Sequence, residues 1–102
     1  MHFVYVIFSR SRSRYYVGET EDVAQRLIWH NSHLFKGSAT SNAADWQLKK
    51  IMVVENRKEA RIVEEYIKSM KSSKFLDKLL HHESYFETFK TIVLQKFDIV
   101  VQ

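Results

Sequence analysis

The chain has no cysteine and no proline, and only two glycines among its 102 residues. Without cysteine there is no disulfide scaffold and no thiolate zinc site, and this usage fits a cytoplasmic location. No apolar run approaches the roughly 20 residues of a membrane span, so no membrane partner is expected. Met1-His2-Phe3 brings neither the charged region nor the cleavage site of a secretory signal. Repeats, low-complexity tracts and linkers are also missing, which leaves one domain over residues 1–102.

What is present describes a folded protein. Apolar residues make up 45% of the chain and aromatics 14%, well outside the disordered range. A net charge of +4 and a pI near 9.4 favour contact with a polyanion, although many soluble proteins share such an excess.

Phe3 to Phe8 is apolar nearly throughout and reads as a central strand. Ser9 to Arg14 alternates serine and arginine as a polar turn, and Tyr15 to Gly18 reads as the returning strand. Gly18 is expected to end that strand, where a missing Cβ permits a sharp turn or a close approach. Thr20 is placed to cap a helix that Val23, Leu27, Trp29 and His30 carry to about Asn31, with Glu21 and Asp22 near its positive end. His33 to Ala44 reads as a loop, and Trp46 to Val54 as a strand with Ile51 to Val54 as its buried part. Arg57 to Met70 is helical, with Ala60, Val63, Ile67 and Met70 on one stripe. A short helix over Phe75 to Leu80 and a last one around Tyr85 to Phe97 follow, with Ile99 to Val101 open to a strand reading. The layout is α+β, a small antiparallel sheet flanked by helices.

Helical spacing puts Arg26 and His30 on one face, at the border of core and solvent. The expected turn at Gly18 brings Arg26 back beside Tyr16, where a guanidinium suits a phosphate oxygen. Ala60, Glu64 and Lys68 share a face of the later helix, and a lone carboxylate there suits one hard divalent cation. Each residue also has an ordinary role. Tyr5 and Tyr16 pack well in a sheet, Arg26 suits an ion pair with Glu64, His30 suits a helix end, and helical glutamates are usually solvated.

The combination narrows the choice. Phe3-Val4-Tyr5, Tyr16-Val17-Gly18, Arg26-Leu27-Ile28-Trp29-His30-Asn31 and a helical Ala60-x-x-x-Glu64-x-x-Ile67-Lys68 together resemble the GIY-YIG nuclease family. The likeness is strongest to its small stand-alone bacterial members and covers residues 2 to about 74, with 75–102 as a helical extension. It implies a three-stranded antiparallel sheet flanked by helices, and metal-assisted hydrolysis of a phosphodiester in DNA, with a role in repair or recombination. By that resemblance Glu64 holds one Mg²⁺ or Mn²⁺ and Arg26 stabilises the transition state. Tyr5 or Tyr16 takes the proton from water, and His30 orients or assists. A free tyrosine, with a pKa of about 10, becomes a plausible base only beside a cation. Strand alternation turns Tyr15 to the opposite face.

Phe3 replaces the glycine of the first motif, and Glu19 stands where the related domain of the excinuclease C subunit has a lysine. A carboxylate there either repels phosphate or adds a metal ligand. No counterpart is found to the downstream asparagine of some homing and restriction members, and no appended DNA-reading domain is expected, so structure rather than sequence selectivity is expected. Arg10, Arg12, Arg14, Lys36, Lys68, Lys71 and Lys74 form either a phosphate-tracking surface or a solvated mixed face. The alternatives to a nuclease are a non-catalytic nucleic-acid-binding module on the same scaffold, and an interaction protein docking through Tyr85 to Phe97. The assembly is expected to be a monomer or a weak dimer.

Overall fold

The computed structural model describes residues 1–32 and 43–102; the loop expected over 33–44, and Lys36 with it, falls almost wholly outside the described residues. The elements are β1 (His2–Ser9), β2 (Arg14–Thr20), α1 (Val23–Ser32), β3 (Trp46–Val54), α2 (Arg57–Ser69), α3 (Ser73–His81) and α4 (Glu83–Phe97). The strands form one antiparallel sheet in the order β2-β1-β3. β1 is therefore central, as its unbroken apolar sequence requires of a strand covered on both faces. The α+β class and three-stranded sheet are those expected. No helix among the described residues is long and apolar enough to cross a membrane.

Strand alternation sorts β1 between two cores. Val4 and Val6 join Val17, Met52 and Val54 under α2, α3 and α4, which bring Ala60, Val63, Ile67, Phe75, Leu79, Phe89 and Val93. Each buried Val or Ile contributes about 1.5–3 kcal/mol relative to exposure, so this larger core dominates stability. Tyr5 and Ile7 face the other way and pack with Trp46, Tyr16, Val23 and Leu27. The aromatic stretch from Tyr85 to Phe97 is turned largely inward. Phe89 is buried, Tyr66 meets both Phe89 and Phe97, and Lys50 caps the Phe86 ring at 3.7 Å. This packing occupies Phe86, Phe89 and Phe97 within the protein, while Tyr85, Ile92 and Leu94 stay exposed.

β3 departs from its expected burial. A register shift against β1 pairs Val6 with Lys50 but Ile7 with Leu48, leaving Lys49 as a bulge. The bulge moves Trp46 to the Tyr5 face while Met52 stays on the opposite one. Only Met52 and Val54 of the expected run are fully buried; Ile51 is exposed and Val53 half-buried. Met70 likewise leaves the buried stripe, because α2 ends at Ser69 and Lys71 turns into a left-handed conformation. Residues 99–101 form no strand, although Gln102 and Val53 exchange two backbone hydrogen bonds at 2.8 and 3.0 Å.

Two local details correct the expected start of the site. β2 continues through Gly18 to Thr20, so Gly18 sits inside the ladder opposite Tyr5 and makes no turn. The cap of α1 is Asp22, whose Oδ1 accepts from the Gln25 amide at 3.0 Å. Thr20 instead accepts from the Asp22 amide at 3.1 Å and positions that cap.

Candidate active site

Gly18 is explained by what lies across it. A Cβ there would fall 2.6 Å from Tyr5 Cζ, and the hydroxyl is nearer still. The missing side chain lets the Tyr5 ring lie flat over β2, the close approach that glycine permits. Its hydroxyl then reaches His30 Nε2 at 2.8 Å on the last turn of α1. Tyr16 closes the group, with its ring centroid 5.1 Å from His30 and 6.5 Å from Tyr5.

His30 is held in place from behind. The Asn31 amide group donates to the Trp46 carbonyl at 3.0 Å and accepts from the Trp46 amide at 2.7 Å, locking the end of α1 to β3. Both polar termini of that pair are satisfied, so the lock fixes the helix without an unpaired group.

Tyr5, Tyr16, Gly18, Glu19, Arg26 and Glu64 line one open cavity of roughly 680 Å³. β1, β2, α1 and α2 thus bring together four of the five residues singled out for chemistry. His30 lies behind them, buried against the tyrosines rather than on the cavity wall. Burial pushes the Tyr5 pKa well above the ordinary tyrosine value; Tyr16 adds to the rise and Arg26 opposes it. Burial also lowers the pKa of His30, and the Arg26 charge lowers it further. The Tyr5–His30 pair is therefore a neutral phenol bonded to a neutral imidazole. Tyr15 points to the opposite face and donates to Asp77 on α3. Its pKa is pushed up to about 12, by burial first and then by Asp77.

Glu64 is set into the wall with 18% of its side chain exposed, and Lys68 holds it, Nζ to Oε1, at 2.8 Å. The same ammonium lies 5.3 Å from the Tyr16 ring centroid. Glu19 is restrained too. Its carboxylate takes His2 Nε2 at 2.7 Å and faces Arg57 Nε at 3.5 Å. His2 and Arg57 complete the cavity wall without any local sequence signal, since they meet Glu19 from the chain start and from α2. The Lys68 pairing did have a signal, the four-residue spacing from Glu64.

Basic residues stand at both ends of this wall. Arg57, at the start of α2, meets Glu19 near the end of β2, while Lys68, at the close of α2, lies over Tyr16 near the start of β2. The helix runs antiparallel to the strand, which puts Lys68 toward the hairpin of Arg10, Arg12 and Arg14; Lys71 follows in the turn after α2 and Lys74 in α3. All six are exposed. That hairpin is anchored by Asp45, which accepts from Ser9 Oγ at 2.6 Å and from the Ser11 amide at 2.8 Å.

Compared with known families, residues 1–79 match the model of the GIY-YIG catalytic domain. No curated protein and no solved structure gives a significant match. The matched span runs from β1 into α3 and contains Tyr5, Tyr16, Arg26, His30 and Glu64. Spanning more than three-quarters of the chain and joined to the family's α+β sheet-and-helix fold, this match shows that the protein belongs to the GIY-YIG family and has a nuclease-type function directed at nucleic acid.

Proposed function

We propose that this protein is a metal-dependent endonuclease that hydrolyses phosphodiester bonds in DNA and selects structure over sequence. The observation that carries the reading is the convergence of Tyr5, Tyr16, Arg26 and Glu64, spread over 60 positions of sequence, on one open cavity. The donor set fits a single hard cation. Glu64 offers one carboxylate to the cavity that Tyr5 and Tyr16 also line, and among the described residues no group of three His, Asp or Glu side chains is arranged to hold a metal. A lone carboxylate suits Mg²⁺ or Mn²⁺, which keep most of their waters. An ion held at Glu64 would polarise the phosphate and the leaving oxygen.

The protein's own side chains supply the rest. Arg26 binds the non-bridging oxygens bidentately and stabilises the charge that grows on them. Tyr16 as the phenolate accepts the proton of the attacking water, whose oxygen bonds to phosphorus as the bond to the leaving oxygen breaks. The leaving oxygen takes a proton from solvent, and Tyr16 returns its own to solvent. Tyr16 is preferred to Tyr5 as base because Tyr5 is buried, bonded to His30 and held above the ordinary tyrosine pKa by that burial. Tyr5 donates to the phosphate or to His30 and keeps the cavity wall rigid.

Arg10, Arg12, Arg14, Lys68 and Lys71 lead the DNA backbone into the cleft from the hairpin end. Each phosphate contact contributes a slope of about −0.9 to the dependence of log K on log salt. The test is cleavage of supercoiled, nicked and branched DNA with Mg²⁺ or Mn²⁺, comparing the native protein with Glu64→Gln. Metal-dependent cutting that the variant loses supports the reading. Salt-sensitive binding with no cutting in any metal would leave a binding module instead.

A further inference from the structure

Lys68 belongs to the site as more than a basic surface residue. Its ammonium sits on the one carboxylate that the proposed metal needs, 2.8 Å from Glu64 Oε1, and lies against the face of Tyr16. The two partners are unequally placed: 45% of the Lys68 side chain is exposed, against 18% for Glu64. The carboxylate is built into the wall, while the lysine reaches in from solvent on a flexible stem and can swing away.

We propose that Lys68 is the resident counter-cation of Glu64, that it exchanges with the divalent ion, and that on release it becomes a phosphate-binding residue of the cleft. The proposal rests on the reading of Glu64 as metal ligand. A monovalent ammonium and a divalent ion repel one another when both face one carboxylate, so occupation by one disfavours the other. Exchange leaves the net charge of the cavity more positive, by the charge of the ion and with the ammonium still nearby. Lys68 then stands beside Tyr16 at the end of α2, on the side from which the arginines of the hairpin lead the backbone in. Before exchange, Lys68 neutralises Glu64, and the carboxylates of Glu19, Glu21 and Glu55 on the cavity lining oppose the pull of Arg26 and Arg57 on phosphate. Metal binding and phosphate binding are thereby coupled through one lysine, and the coupling is reciprocal.

The experiment measures Mn²⁺ binding to the full chain without DNA, by calorimetry or by electron paramagnetic resonance. An ion pair of this spacing predicts that Lys68→Met binds Mn²⁺ about two- to five-fold more tightly than the native protein. Lys68→Arg, which keeps the cation, stays near the native affinity. Fluorescence anisotropy with a DNA duplex gives the second readout: Lys68→Met weakens binding more with Ca²⁺ present than in chelator, because the native lysine is released only when the ion is bound. Unchanged Mn²⁺ affinity in Lys68→Met, with binding lost in Glu64→Gln, would overturn the exchange and leave the site intact. Mn²⁺ binding that survives Glu64→Gln would overturn the metal reading and the exchange with it.

Discussion

Replacing Gly18 by alanine tests the packing on which the cavity depends. The added Cβ would lie 2.6 Å from Tyr5 Cζ, 0.8 Å inside the 3.4 Å where ordinary contact begins. The ring cannot yield easily. It is 2% exposed, bonded to His30 and backed by Tyr16. Overpacking of this kind costs about 1–3 kcal/mol, while alanine in a strand recovers about 0.5–1 kcal/mol relative to glycine. At the centre of these ranges the overpacking term wins, leaving a net loss of about 1.2 kcal/mol and a Tm lower by roughly 5–10 °C for a domain of this size. Thermal unfolding followed by circular dichroism measures the shift. In a Tyr5→Val background the same Gly18→Ala change should turn neutral or stabilising, because the ring is gone and the strand preference remains. A Gly18→Ala protein as stable as the native one, or an equal loss in both backgrounds, would refute the reasoning.

Other outcomes follow from the same geometry. Tyr5→Phe leaves His30 Nε2 without its buried partner and should destabilise by about 1–3 kcal/mol in urea unfolding. Stability should fall with acid through His30: its folded pKa lies below the unfolded value, so its contribution is complete above about pH 6.5 and is lost as pH drops through the folded value. A lower urea midpoint at pH 5 than at pH 7.5, with a smaller difference in His30→Gln, checks the sign. Asp45→Ala removes the acceptor for Ser9 and for the Ser11 amide, so hydrogen exchange at that amide should speed up. Ser9 and Ser11 hold the Asp45 carboxyl below its ordinary range, so the native anchor should persist well into acid.

Much of the fold was legible because it is local. The apolar run of β1, the Trp46–Val54 segment and the helical spacing of Ala60, Val63 and Ile67 each declare their element. The misreadings come from facts that arise only between elements. A bulge at Lys49 separates Trp46 from Met52, and no local pattern announces it. Glycine in such a pattern usually marks a turn, whereas Gly18 is required by a tyrosine on the neighbouring strand. Asp22 displaces Thr20 as cap because the strand runs two residues further than Gly18 suggested. For the site, the spacing of Tyr5, Tyr16, Arg26 and Glu64 anticipated residues that the fold gathers around one cavity. The His2–Glu19–Arg57 contacts were not readable, since they join three distant segments. Lys68 was legible as a neighbour of Glu64 one helical turn on, but not as a cation over Tyr16, which lies on a distant strand.

The central claim, that Glu64 holds a catalytic divalent ion in the tyrosine-walled cavity, is tested most directly by a crystal soaked in Mn²⁺ and examined for anomalous scattering. The account predicts one peak in contact with the Glu64 carboxylate, with Tyr5, Tyr16 and Arg26 around it and the Lys68 ammonium displaced. A peak at another site, or Lys68 still seated on Glu64 in millimolar Mn²⁺, would contradict it.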